Sequence, residues 1–181
     1  MTDALTLVVC GAPLAARAAS VAGALVDTGW SVTVAGSPAS RSWLDLDAVK
    51  AVTGKPVIFD QRGADQQRGP RPAAVVACPL TMNSAAKAAT GIMDTYAAGV
   101  LVDAVAVGTP LTLVVTVSNR LWSHPAWAQH LRTLAAADAQ FFDAVRGQVG
   151  LPNPVESGTG PDVVRGFDVV GLAKIVGPPA A

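Results

Sequence analysis

Residues 5–34 read LTLVVCGAPLAARAASVAGALVDTGWSVTV. Leu5 to Cys10 is a near-continuous apolar run closed by Gly11. A run of that kind suits a strand buried on both faces, as in a parallel sheet. Pro13 to Val26 follows, rich in alanine, with Leu14, Ala18, Val21, Ala22 and Leu25 at helical spacing. Pro13 fits the first turn of a helix, where its missing N–H costs nothing. Gly29 ends that helix, and Trp30 to Val34 starts the next strand. Strand, glycine turn, helix, strand is the unit from which doubly wound sheets are built.

The unit repeats along the chain. Ser42 to Val52 reads as a short helix with Trp43, Leu44 and Val49 inward, and Lys55 to Phe59 as a strand. Asp60 to Pro72 is a polar loop with three arginines. Ala73 to Cys78 is a buried strand that Pro79 stops, and Asn83 to Ala98 is a long helix. Leu111 to Val117 is a strand, Pro125 to Ala137 a helix, and Gln140 to Val145 a short strand or turn. The expected fold is therefore α/β: a single-domain, doubly wound parallel sheet of Rossmann-like type over residues 1–146. Residues 147–181 are richer in Gly, Pro, Ser and Asn and read as a C-terminal tail or flap.

The 181 residues are 51% hydrophobic and 14% charged, with mean hydropathy +0.41. Apolar stretches are broken after about a strand's length, whereas a spanning helix needs roughly 20 apolar residues. The amino terminus carries Asp3 and no basic run, unlike a signal peptide. The expectation is a cytoplasmic protein, with no membrane partner, whose apolar surface is covered by copies of itself. Zero net charge without a basic stripe argues against nucleic acid. Cys10 and Cys78 read as buried thiols next to a site, and two cysteines with two distant histidines make no metal site.

In open parallel sheets ligands bind beyond the carboxyl ends of the strands, so the loops to read are 10–14, 36–42, 78–84 and 117–124. Gly11, Ala12 and Pro13 join a strand to a helix start, where backbone can approach a phosphate. The GxGxxG fingerprint of dinucleotide sites is absent. Ser37 and Ser40 add hydroxyls beside that helix start; helix capping is the plainer role for Ser40. In the third loop Asn83 and Ser84 stand at a helix start after Pro79.

The third loop and its helix, ACPLTMNSAAKAATGIMD over 77–94, resemble the Pro-Ala-Ser-Ala-Asn-Thr motif and following helix of the homo-oligomeric flavin-containing cysteine decarboxylases. That family includes phosphopantothenoylcysteine decarboxylase and the peptidyl-cysteine decarboxylases of lantibiotic biosynthesis, and flavin prenyltransferases share its fold. Pro79, Asn83, Lys87, Ala89, Gly91, Ile92 and Asp94 match without gaps. Val117 to Trp122 stands where the family has Met-Asn-x-x-Met-Trp, and residues 7–40 resemble its opening strand, turn, helix and strand.

The resemblance implies FMN as the cofactor, and FMN rather than FAD fits the missing fingerprint. Its phosphate would lie at Gly11, Ala12, Pro13, Ser37 and Ser40, and its ring against Pro79, Leu80, Thr81, Met82 and Asn83. It implies oxidative decarboxylation of a peptidyl-cysteine or phosphopantothenoylcysteine type of substrate. The thiol is oxidised to a thioaldehyde, carbon dioxide leaves, and an enethiol forms. Asn83 and Ser118 are the catalytic candidates, and a homotrimer or a dodecamer of trimers is the implied assembly. Two features depart from the family. Its histidine before the motif strand has no counterpart in 62–71, where Asp65 or Arg68 stands, and its Met-Asn reads Val117-Ser118. The alternatives are a flavin prenyltransferase-like or other non-decarboxylating flavoprotein, or a flavin-binding regulatory subunit without turnover. His124 and His130 read as structural or contact residues, and Trp122 is the tryptophan best suited to stack on a flavin.

Overall fold

The computed structural model describes residues 3–180 other than Gln66 and Arg68. β1 (Ala4–Val9), β2 (Ser31–Gly36), β3 (Ala74–Leu80), β4 (Leu111–Val115) and β5 (Gln140–Phe141) pair in parallel in the order β2-β1-β3-β4-β5. The doubly wound α/β fold expected from the sequence is the fold observed. The chain builds outward from β1 to β2, then returns to lay β3 on the other side of β1. That reversal opens a crevice between the carboxyl ends of β1 and β3, where such sheets bind ligands.

Helices cover both faces. Around one face, Leu5, Leu7 and Val9 of β1 meet α1 (Ala18–Asp27), α2 (Leu46–Thr53) and α8 (Val169–Val176) through Val21, Leu25, Val49 and Leu172. Around the other, Val8, Val75 and Ala77 meet α3 (Met82–Thr90), α4 (Tyr96–Val107) and α6 (Trp127–Ala136) through Ala85, Leu101, Trp127 and Leu134. Each fully buried leucine contributes roughly 1.5–3 kcal/mol of transfer free energy, so alternation along β1 holds both layers at once. α4 and α8 are the most apolar helices, yet no helix among the described residues is long and apolar enough to cross a membrane.

Several elements differ from the sequence reading. Residues 55–59 contribute a single bridge, Ile58 to Ala35, and not a strand; Pro56 has no N–H to extend the pairing. The helix expected from Ser42 starts at Leu46, because the Asp45 carboxylate accepts from the Ala48 N–H at 2.9 Å and caps it there. Trp43 thus precedes the helix and is 44% exposed. The helix expected over 83–98 is two helices. Gly91, at φ +77°, ends α3, and Thr95 accepts from the Ala98 N–H to start α4. Pro79 does not stop β3, which runs through a cis Cys78–Pro79 bond to Leu80 with a register shift after Ala77.

Where the composition suggests a tail or flap from Gly147, the described residues are docked. Val149 bridges Phe142 and Val155 bridges Ser118. α7 (Gly160–Gly166) packs on the 3-10 turn at Pro13–Arg17, and α8 packs on α1. The Trp30 indole N–H donates to the Gly177 carbonyl at 2.7 Å. Buried Asp143 accepts from the Val145 and Arg146 N–H groups and from the Asn153 amide, pinning the start of this segment.

Candidate functional site

A cleft of about 600 Å³ lies over the carboxyl ends of β1 to β4. Each of the four loops read from the sequence supplies part of its wall. Gly11, Ala12 and Pro13 follow β1; Ser37, Pro38, Ala39 and Trp43 follow β2. Thr81, Met82, Asn83 and Ser84 follow β3, and Thr116, Val117 and Ser118 follow β4.

The loops are tied to one another through the backbone. The Cys10 N–H donates to the Pro79 carbonyl at 3.1 Å, and the Ser37 N–H to the Val9 carbonyl at 2.9 Å. The Thr116 N–H donates to the Leu80 carbonyl at 3.0 Å. A Cβ on Gly11 would stand 2.6 Å from the Ala39 carbonyl oxygen, so only glycine lets the first two loops meet this closely.

The helical turns that begin at Pro13, Pro38, Met82 and Asn119 all start on this wall without a side-chain cap. Pro13 and Pro38 carry no N–H, and the Asn119 N–H is spent on the Val155 carbonyl at 2.9 Å. The donors left for a ligand are those that follow the two prolines and those at the start of α3, and they favour an anionic or acceptor-rich group. Lys87 is the one charged residue in the wall among the described residues, and its Nζ lies 2.7 Å from Asp94. The Thr116 hydroxyl oxygen is buried without a hydrogen-bond partner among the described residues.

Of the residues singled out from the sequence, Gly11, Ala12, Pro13, Ser37, Thr81, Met82, Asn83 and Ser118 meet in this cleft. Ser40, Pro79 and Leu80 lie behind it. The Ser40 hydroxyl is fully buried and donates to the Ser37 carbonyl at 2.7 Å, so it shapes the loop from inside. The Pro79 carbonyl is spent on Cys10, and the Leu80 side chain is in the core. Asn83 is exposed on the second residue of α3; the cap position belongs to Thr81, and the Asn83 amide makes no hydrogen bond among the described residues.

Trp122 does not face the cleft but packs edge-on against Trp127 at 5.5 Å. The tryptophan in the wall is Trp43, missed because helical spacing turned it inward. Thr95, Thr116 and Leu121 were also missed: Thr95 caps a helix start that the continuous helical spacing over 83–98 hid, and Thr116 and Leu121 are single residues without a periodic signal. His124 is exposed and its Nδ1 accepts from the Ala126 N–H at 3.2 Å, a local turn role. Arg68 lies outside the described residues, and Asp65 is exposed.

Cys10 and Cys78 are free, buried, and belong to the two different core layers. Burial pushes the Cys10 thiol up in pKa, against hydrogen bonds from Ser84 and Thr81 that pull it down. Cys10 therefore sits as a neutral thiol directly behind two hydroxyls of the wall. Burial also raises Cys78, helped by the nearby Cys10.

The family described as Flavoprotein matches residues 2–164, and this chain belongs to that family. Its fold is shared with FMN-dependent cysteine decarboxylase SpaF, at 21% identity and TM-score 0.64 over 90% of this chain and 95% of that one. The FMN binding protein AtHal3 matches at 14% identity and TM-score 0.69, over 91% and 94%. AnUbiX (PadA1), solved with FMN and dimethylallyl pyrophosphate, matches at 15% and 0.66, over 80% and 79%. No curated protein matches the sequence. The flavin expected from the sequence agrees with the family and with the FMN of these structural relatives. The wall fits such a group: uncapped N–H donors suit a phosphate, and the unpartnered Thr116 hydroxyl suits the polar edge of a ring.

Proposed function

We propose that this chain holds FMN in the cleft and oxidatively decarboxylates a substrate ending in cysteine. The observation that carries the reading is Asn83, exposed in the cleft wall with its amide uncommitted, in a motif that resembles that of the flavin-containing cysteine decarboxylases. The Gly11 and Ala12 N–H groups and the Ser37 hydroxyl bind the phosphate, Pro13 sets the start of the turn beside it without an N–H of its own, and Ser40 keeps the second loop in shape. Thr81, Met82 and Asn83 form the surface for the ring. Bound flavin supplies the two-electron oxidation of the substrate thiol. The Asn83 amide orients the substrate, and the Ser118 hydroxyl stands at the family's asparagine position to meet its carboxylate. Lys87, steadied by Asp94, adds positive charge on the carboxylate side.

The lack of a histidine in 62–71 favours a second reading, in which FMN is bound without decarboxylation. Incubation with a cysteine-ended peptide followed by mass spectrometry separates the two. Loss of two hydrogens plus carbon dioxide supports decarboxylation, and an unchanged peptide with flavin bound supports the second reading.

Exposed Trp43, Ile92, Met93 and Leu121 motivate the homotrimer, or a dodecamer of trimers, as the working assembly. A stable monomer in light scattering would contradict it. The same reading places the protein in the cytoplasm, which fractionation of the producing cells would check.

A further inference from the structure

Thr116 is the residue after β4, and its surroundings make its hydroxyl conspicuous. Val115 and Val117 on either side are each 1% exposed, in the core. The Thr116 N–H is fixed to the Leu80 carbonyl at 3.0 Å, so the residue is held at the end of β3, on the side of that strand away from β1. Thr116 forms part of the cleft wall, yet its oxygen is screened from water and meets no acceptor or donor among the described residues. Valine has the same shape and would continue the run LTLVV without leaving a polar atom unpaired. A buried hydroxyl without a partner weakens the fold that contains it, and buried polar atoms in native proteins are otherwise almost always paired.

The other wall hydroxyls have other parts to play: Ser37 goes to the phosphate under the proposed function, and Thr95 accepts from the Ala98 N–H at 3.2 Å. Thr81 and Ser84 face each other at 3.5 Å and both contact the Cys10 thiol. Ser118 starts α5 (Asn119–Trp122) two residues further out. We infer that Thr116 is a positioning residue whose hydroxyl bonds a polar edge of the flavin ring and so sets the depth and tilt of the ring in the cleft. A turn of χ1 to another staggered well presents the oxygen to the cleft when the ring arrives. This assignment rests on FMN being the group bound there.

The test uses the full-length chain with Thr116→Val and Thr116→Ser. FMN affinity is read by quenching of flavin fluorescence, the ring's surroundings by the visible spectrum of the bound flavin, and the fold by the thermal midpoint of the flavin-free protein. The expected result for Thr116→Val is a flavin-free midpoint equal to or above wild type, an FMN affinity about tenfold weaker, and a shifted visible band. Thr116→Ser keeps the hydroxyl and should bind FMN within about threefold of wild type. A Thr116→Val protein that binds FMN as tightly as wild type with the same spectrum overturns the assignment. So does one that melts lower than wild type without flavin, because the hydroxyl would then have a partner inside the chain. Wild-type protein that takes up no FMN overturns the functional reading, and this assignment with it.

Discussion

Gly11 and Ala39 touch so closely that a Cβ on Gly11 would sit 2.6 Å from the Ala39 carbonyl oxygen and 2.8 Å from its Cβ. That contact locks the loop after β1 to the loop after β2, the two loops assigned to the phosphate. Gly11→Ala forces one of them to move. Overpacking of this kind costs about 1–3 kcal/mol, and the displaced N–H groups should weaken FMN binding by at least about tenfold. Denaturant unfolding and an FMN titration read the two effects. A Gly11→Ala protein with wild-type affinity would show that the phosphate lies elsewhere.

Asn83 separates fold from chemistry. It is exposed, caps nothing and makes no hydrogen bond among the described residues, so Asn83→Ala and Asn83→Asp should both stay within about 0.5 kcal/mol of wild-type stability. Loss of the amide donor should lower turnover by roughly 10²-fold in both. Asp should also bind FMN more weakly, because it sets a negative charge beside the ring. Thermal melts together with the peptide mass assay decide the matter. If Asn83→Asp turns over like wild type, the amide has no part in the reaction.

Much of this was legible in the sequence because strands buried on both faces have few alternatives: LTLVVC and AAVVAC lie where they were read, and the four loops beyond the strands all line the cleft. Misreadings came where a local signal lost to a neighbour. Helical spacing continues through Gly91, but its left-handed backbone divides the helix. Trp43 fits an inward helical position, but the Asp45 cap starts the helix after it. The C-terminal segment looked polar and Gly-rich. Even so, Asp168 accepts from the Gly171 N–H to cap α8, whose Val169, Leu172 and Ala173 fill the groove beside α1. A capping Asp before apolar residues at helical spacing was the available signal. Thr116 could not be found from sequence, since its meaning lies in what its hydroxyl fails to touch.

Asp143 should make stability depend on acid. Burial raises its carboxyl, but hydrogen bonds from the Asn153 amide and from the Arg146, Val145 and Asn153 backbone outweigh it and hold the group below its ordinary value. The native state therefore binds this proton more weakly than the unfolded chain. The stabilisation is complete above the unfolded value of about 3.9 and fades as pH falls through the lower folded value. Asp143→Ala should lose about 2 kcal/mol at neutral pH, and its deficit against wild type should shrink below about pH 4. Urea unfolding at several pH values checks this; a deficit that is constant down to acid pH would show that the carboxylate charge is not what holds the 143–153 turn.

The most direct measurement is a fluorescence titration of flavin-free, full-length protein with FMN and, in parallel, FAD. The cleft, with its uncapped helix starts at Pro13 and Pro38 and no GxGxxG turn, predicts saturable quenching by FMN at micromolar concentration or below, and much weaker binding of FAD. Folded protein that quenches neither flavin at micromolar concentration would contradict the assignment of this cleft to FMN.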